Sequence, residues 1–195
     1  MDIFFGYGYL GKHLFNTNEI KVCKNLNEIK SFVNENKVGN LWYFASPQDL
    51  ETISKKKFRL YETYYLTDDL IELCNTNKIH LIFANSMGVY EIDNSGYLKE
   101  YLCLKHLNST KIREFCKSYT ILNIPRVYSS DRNSGLIKAL KNKVQMDKSK
   151  VLEFIDIEEF VNYTKMILTQ KPKEVFYNTR KNSIENIEIE FLNFK

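Results

Sequence analysis

The chain has little of what marks a disulfide-stapled, metal-dependent or membrane-spanning protein. Its four cysteines, Cys23, Cys74, Cys103 and Cys116, and its three histidines are scattered over 195 residues. With no C-x-x-C spacing and no histidines at ligand intervals, no metal site is expected. No apolar run approaches the ~18 residues needed to cross a bilayer. The start lacks a basic segment followed by an apolar core, so the expectation is a reduced, cytoplasmic protein with no membrane partner. Charge of one sign is also scarce, at +4 net with 27% charged residues. The densest basic run, Lys55-Lys56-Lys57 with Arg59, has no interleaved aromatics to stack bases and reads as a solvated face, with no nucleic-acid partner.

Glycine is sparse as well, seven in all, yet three fall together near the start. Asp2-Ile-Phe-Phe-Gly-Tyr-Gly-Tyr-Leu-Gly-Lys-His-Leu14 reads as strand, tight turn and helix, with Gly6, Gly8 and Gly11 in a G-x-G-x-x-G pattern. The first glycine permits the turn, the second lets a pyrophosphate approach the backbone, and the third lets helix pack on strand. Residues Gly6, Tyr7, Gly8, Tyr9, Leu10 and Gly11 are therefore the predicted cofactor loop. A glycine turn between two core elements accounts for the same letters, so the surrounding pattern has to decide.

That pattern is an alternation. Glu19–Cys23 is β-branched enough for a second strand, and Leu26, Ile29, Phe32 and Val33 recur at helical spacing up to Asn36. Leu41-Trp-Tyr-Phe-Ala45 is a buried type of strand that stops at Ser46-Pro47; Ala45 and Ser46 are expected to face the cofactor. A helix follows over about Tyr61–Cys74, then a strand over Lys78–Ala84 in which His80 reads as a structural histidine. Such alternation predicts one α/β domain over residues 1–195, a Rossmann-like doubly wound parallel sheet with helices on both faces. Ligands of these sheets lie beyond the carboxyl ends of the strands. The residue after the second strand meets the adenosine ribose, where an acid favours NAD and a cation NADP; Lys24 stands there and favours NADP.

Past the fourth strand comes Asn85-Ser86-Met-Gly-Val-Tyr90, and fifteen positions after Ser86 stands Tyr101-Leu-Cys-Leu-Lys105. A tyrosine and a lysine four apart share a helix face. Tyr177 and Lys181 repeat the spacing, so it is the place of Tyr101, after a strand-end serine and downstream of the glycine pattern, that singles it out. A tyrosine titrates near ~10 and a neighbouring ammonium favours its phenolate. Tyr101 is thus the candidate proton donor, Lys105 the charge beside it and a holder of the nicotinamide ribose, and Ser86 a hydrogen-bond donor to the reacting oxygen. Arg126 and Arg132 are candidate partners of a substrate phosphate. Asp156, Glu158 and Glu159 read as a helix start rather than a metal site, and the alternating Asn186–Phe194 as a segment that closes the core.

Taken in order, these segments resemble the extended short-chain dehydrogenase/reductases, in the group of NAD-dependent epimerases, dehydratases and nucleotide-sugar reductases. The resemblance rests on the glycine turn at 6 to 11, Ser86 with Val89-Tyr90, Tyr101 with Lys105, Ile121–Tyr128, Phe154-Ile-Asp156 and Glu174–Phe191. It implies NADP or NAD as cofactor, a nucleotide-sugar substrate near Ser86, Met87 and Tyr101, and a homodimer through the helices at about 61–74 and 98–118. Four departures stand out: Asn123 where the family strand carries arginine, Ser129-Ser130 where it carries Gly-Pro, a glycine turn of the G-x-G-x-x-G form found in atypical relatives, some of which lack the catalytic pair, and only Ser129–Val151 for the substrate-capping lobe. The elimination chemistry of sugar 4,6-dehydratases needs an Asp-Glu pair where this chain has Met87 and Gly88, which argues against dehydration. The expected activity is reduction of a sugar keto group. The alternatives are a nucleotide-sugar 4-epimerase with tightly held NAD and a non-catalytic dinucleotide-binding module in a polysaccharide pathway.

Overall fold

The computed structural model describes residues 1–45, 58–90, 98–132 and 135–192. Six strands form a parallel sheet: β1 (Asp2–Phe5), β2 (Ile20–Cys23), β3 (Asn40–Tyr43), β4 (His80–Ser86), β5 (Tyr119–Ile124) and, after two strands of a second sheet, β8 (Glu174–Phe176). Their spatial order is β2-β1-β3-β4-β5-β8, and every pair is parallel. The winding reverses between β1 and β3, which makes the carboxyl end of that pair the topological switch point.

Alternation along each strand decides which face each side chain serves. Ile3, Phe5, Leu41, Tyr43, Leu81, Phe83 and Ile121 pack with Ile29 and Val33 of α2 (Leu26–Glu35), Leu70, Ile71 and Cys74 of α3 (Phe58–Asn77) and Ile112 of α4 (Leu98–Phe115). Phe4, Trp42, Ile82 and Leu122 face the other way, onto Leu14 of α1 (Tyr9–Leu14) and Phe160 of α6 (Ile157–Leu168). The strands are apolar on both faces because both are covered.

Local chemistry sets the ends of these elements. Asn25 caps α2 by accepting from the Glu28 N–H at 2.9 Å while the Glu28 carboxylate accepts from the Lys24 N–H at 2.9 Å, a reciprocal capping box. Asp156 caps α6 by accepting from the Glu158 N–H, the role expected of that acidic cluster. His80 opens β4 with its two ring nitrogens 2.8 Å from the Ser118 hydroxyl and 2.9 Å from the Thr120 hydroxyl, and burial lowers its pKa. It is the structural histidine that the apolar run predicts.

Two expectations change. Ile121–Tyr128 is not one strand: Pro125 has no N–H to give a ladder, so the chain leaves the main sheet after Ile124 and resumes as β6 (Arg126–Tyr128). There it pairs parallel with β7 (Val151–Asp156), which pairs antiparallel with β9 (Arg180–Ser183). The alternating C-terminal segment is a helix, α7 (Ile184–Leu192), because Ile184, Ile187 and Phe191 recur at three and four positions. Those side chains join Tyr128, Phe154 and, from α5 (Gly135–Lys141), Ile137 and Leu140 in a separate cluster. The segment closes this smaller core, not that of the six-stranded sheet.

Candidate functional site

The glycine turn is built as its spacing requires. Gly6 has a φ of +88°, and a Cβ there would lie 2.1 Å from the Ala45 backbone nitrogen, since the Phe44 and Ala45 N–H groups both donate to the Phe5 carbonyl. Only glycine fits. A Cβ at Gly11 would stand 2.9 Å from the Tyr7 ring and 3.0 Å from Phe4, so the third glycine is where helix meets strand. A Cβ at Gly8 would meet nothing nearer than the Gly6 carbonyl at 3.9 Å. Its exposed backbone borders open space, the room a pyrophosphate needs.

Strand register places the remaining groups relative to that turn. Phe5 is level with Tyr43, and Tyr43 with Phe83, so Gly6, Ala45 and Ala84–Ser86 all lie beyond one carboxyl edge. Two strand spacings, about 10 Å, separate the glycine turn from the end of β4. Ser86 ends β4 half-buried, its hydroxyl accepting from the Gly88 N–H at 3.2 Å, with Met87 beginning a 3-10 turn over Met87–Tyr90. Across this edge runs α4, whose Leu102 is the nearest side chain to a Cβ built at Gly88.

From α4, Tyr101 is half-buried and Lys105 fully enclosed at 3% exposure. The Lys105 ammonium donates to the Ala84 carbonyl at 2.5 Å and lies 4.7 Å from the centre of the Phe83 ring and 5.8 Å from that of Tyr101. Burial alone pushes its pKa down to about 7. A lysine inserted under a sheet edge with no carboxylate beside it among the described residues costs stability, and such groups cluster where chemistry is done.

Other predicted residues lie in different surroundings. Lys24 follows β2, exposed, on the same edge. Ser46 lies outside the described residues. Arg126 is exposed on β6 in the second sheet. Arg132 turns inward: its guanidinium donates to the Val127 carbonyl and sits 5.1 Å from the centre of the Tyr9 ring. Tyr9 itself reaches across to Ser129 and Asp131, and His13 approaches Asp131 at 3.3 Å. The loop after β6 is thereby fastened to the helix that the glycine turn starts.

Sequence reasoning missed a polar layer beneath α4. Asn85 donates to the Asn123 carboxamide oxygen at 2.9 Å, which also accepts from Tyr90 at 3.3 Å. Arg113 donates to Tyr90 and to Glu174, and Asn123 reaches the same carboxylate at 3.4 Å. Its signals were present: an asparagine inside the apolar run of β4, and Asn108-Ser109 on the helical stripe of Lys105 and Ile112. Among the described residues no three histidine, cysteine or acidic side chains group as a metal site, and no helix is long and apolar enough to cross a membrane.

No protein-family model and no curated protein matches the chain. Solved structures do. A dTDP-4-dehydrorhamnose reductase from Bacillus anthracis in complex with NADP is similar over 99% of this chain and 80% of its own, at 14% identity and a TM-score of 0.76. The UDP-glucose 4-epimerase of Thermotoga maritima with UDP-glucose is similar over 96% and 80%, at 14% identity and a TM-score of 0.75. A UDP-N-acetylglucosamine 4-epimerase from Methanobrevibacter ruminantium covers 95% and 79%, at 15% identity and 0.73. The fold is that of the extended short-chain dehydrogenase/reductases. The chain spans about four-fifths of these structures. Its six-stranded parallel sheet is that of the short-chain dehydrogenase/reductase fold.

Proposed function

We propose that the chain is an NAD(P)-dependent oxidoreductase that reduces a keto group on a nucleotide-linked sugar. The observation that carries the reading is Lys105, buried with no carboxylate partner among the described residues against the Ala84 carbonyl and the Tyr101 ring, on the sheet edge that the glycine turn shares. The backbone of Gly6–Gly11 would hold the pyrophosphate, with the open approach at Gly8 as the cradle. Lys24 favours a 2′-phosphate and hence NADP, since the nearby Glu28 carboxylate is engaged in capping α2.

When bound, the reduced nicotinamide supplies hydride to the carbonyl carbon. Tyr101 gives its hydroxyl proton to the carbonyl oxygen, Ser86 donates a hydrogen bond to that oxygen, and the Lys105 ammonium stabilises the phenolate left on Tyr101. Met87 lines the substrate side. Arg132 supports the loop that faces the sugar nucleotide, and Arg126, exposed at the start of β6, is a further candidate partner of its phosphate. The same reading includes a homodimer formed by α3 and α4, whose outer surface exposes Tyr61, Tyr65, Leu107 and Phe115 beside a groove of about 330 Å³ lined by Ile71 and Phe115.

The test is NADPH oxidation with a panel of 4-keto nucleotide sugars. Turnover by the native chain and its loss in Tyr101→Phe are expected. Epimerisation without net oxidation assigns the 4-epimerase reading instead, and a chain that binds neither NADP nor NAD sinks both.

A further inference from the structure

Two buried carboxamide oxygens have no hydrogen-bond partner among the described residues: Oδ1 of Asn85 and Oδ1 of Asn108. Both residues are more than nine-tenths buried, at 3% and 1% exposure. An orphaned buried acceptor costs roughly 1–3 kcal/mol, so a helix and the strand beneath it that each keep one call for a donor between them. Asn108 lies one helical turn beyond Lys105 on the buried stripe of α4. Asn85 adjoins Ala84, whose carbonyl takes a Lys105 proton, and its side chain lies on the face of β4 that α4 covers. An ammonium has three protons to give; the Ala84 carbonyl takes one. The lysine stem has four rotatable carbons, enough to swing the head between neighbouring acceptors.

We propose that Asn108 and Asn85 are positioning residues for Lys105, their free carboxamide oxygens receiving its remaining ammonium protons and holding the side chain charged beneath Tyr101. Three acceptors suit the ammonium, whereas a neutral amine has only two protons and a lone pair that would face an oxygen. The pair therefore works against the burial that lowers the affinity of Lys105 for its proton. The other titratable groups on the elements packed there are Tyr101 on α4 itself, Tyr64 and the Lys111–Asp68 pair between α3 and α4, Tyr43 on β3, Tyr90 after β4, and the Arg113–Glu174 pair between α4 and β8. None of them adds a charge to the cause of the Lys105 shift. The purpose of the arrangement rests on the reductase reading, but the contact does not.

The experiment is an NMR titration of the native chain carrying lysine labelled with ¹³C at Cε, the Lys105 signal being identified by its loss in Lys105→Met. Asn108→Leu should weaken proton binding at Lys105 about tenfold, the size of one charge-assisted hydrogen bond. Asn108→Asp should strengthen it by at least as much. Circular dichroism checks the fold, and Asn108→Ala replaces the leucine variant if that one does not fold. An unchanged Lys105 midpoint in the aspartate and apolar variants overturns the proposal. Shifted midpoints in a chain that binds no nicotinamide nucleotide support the contact while removing the reductase reading.

Discussion

Replacing Lys105 by methionine should make the protein more stable at neutral pH while destroying its proposed chemistry. Burial moves the Lys105 pKa from 10.5 to about 7. A shift of that size, at ~1.4 kcal/mol per unit, disfavours the charged form by on the order of 5 kcal/mol. The sign follows from proton counting. Between about pH 7 and 10.5 the unfolded chain holds a proton on this lysine that the folded chain has given up, so stability rises with pH through that window. The penalty is fully present below about pH 7 and gone above about 10.5. Methionine fills nearly the same volume and forfeits the hydrogen bond to the Ala84 carbonyl and those proposed to Asn85 and Asn108, each worth about 1 kcal/mol. The variant should therefore be about 1–3 kcal/mol more stable than the native chain near pH 7, and the gap should close as pH approaches 10. Urea unfolding at three pH values, about 6.5, 8 and 9.5, measures both curves, and subtracting them cancels the groups that the two chains share. A variant less stable at neutral pH, or a difference that stays constant with pH, would refute the buried, uncompensated ammonium on which the site reading depends.

The glycines should separate binding from folding. Gly8→Val should fold like the native chain yet lose at least about a hundredfold in NADP affinity by calorimetry, whereas Gly11→Val should cost about 1–3 kcal/mol of stability through contact with Tyr7 and Phe4. The kcat/KM for a 4-keto sugar nucleotide should fall as pH rises through about 7, because the free enzyme then loses the Lys105 ammonium. His80 stays neutral in the fold by burial, so native stability should decline as pH drops below ~6.5, and His80→Gln should flatten that slope in acid denaturation. Light scattering should find a dimer that Tyr65→Glu or Phe115→Glu converts to monomer, both side chains being exposed on the proposed interface.

How far the sequence reached depended on whether an interaction was local. The glycine turn, the strands over 2–5 and 20–23, the helix beginning at Leu26 and the capping role of Asp156 are all set within a few residues, and each could be read from spacing. The break at Pro125 was legible in principle, since a proline cannot donate to a ladder; the family likeness of Ile121–Tyr128 hid it. The C-terminal helix was misread because Ile187, Ile189 and Phe191 alternate as well as recur at helical spacing, and only the second sheet decides which period is used. The fastening of Tyr9 and His13 to Ser129 and Asp131 joins residues more than a hundred positions apart. Nothing in either segment alone announces it.

The buried stripe of α4 divides into two halves of different character. Toward its C-terminus, Ile112 and then Cys116 just beyond it enter the apolar core under β4 and β5, as a helix packed on a covered sheet should. Toward its N-terminus the same stripe presents Tyr101, Lys105, Asn108 and Ser109, three of them almost wholly enclosed. Leucine or alanine at those positions would pack as well and cost less, so packing does not explain the polar half. Its extent does: the change from apolar to polar occurs where α4 nears the carboxyl edge of the sheet, the edge that also holds the glycine turn and the end of β4. A polar stripe on a helix that covers a sheet breaks a local rule, and sequences tend to break such rules where function requires it. The lower half of the helix holds the fold together, and the upper half spends part of that stability to keep a charge, a phenol, a carboxamide and a hydroxyl near the edge of the glycine turn.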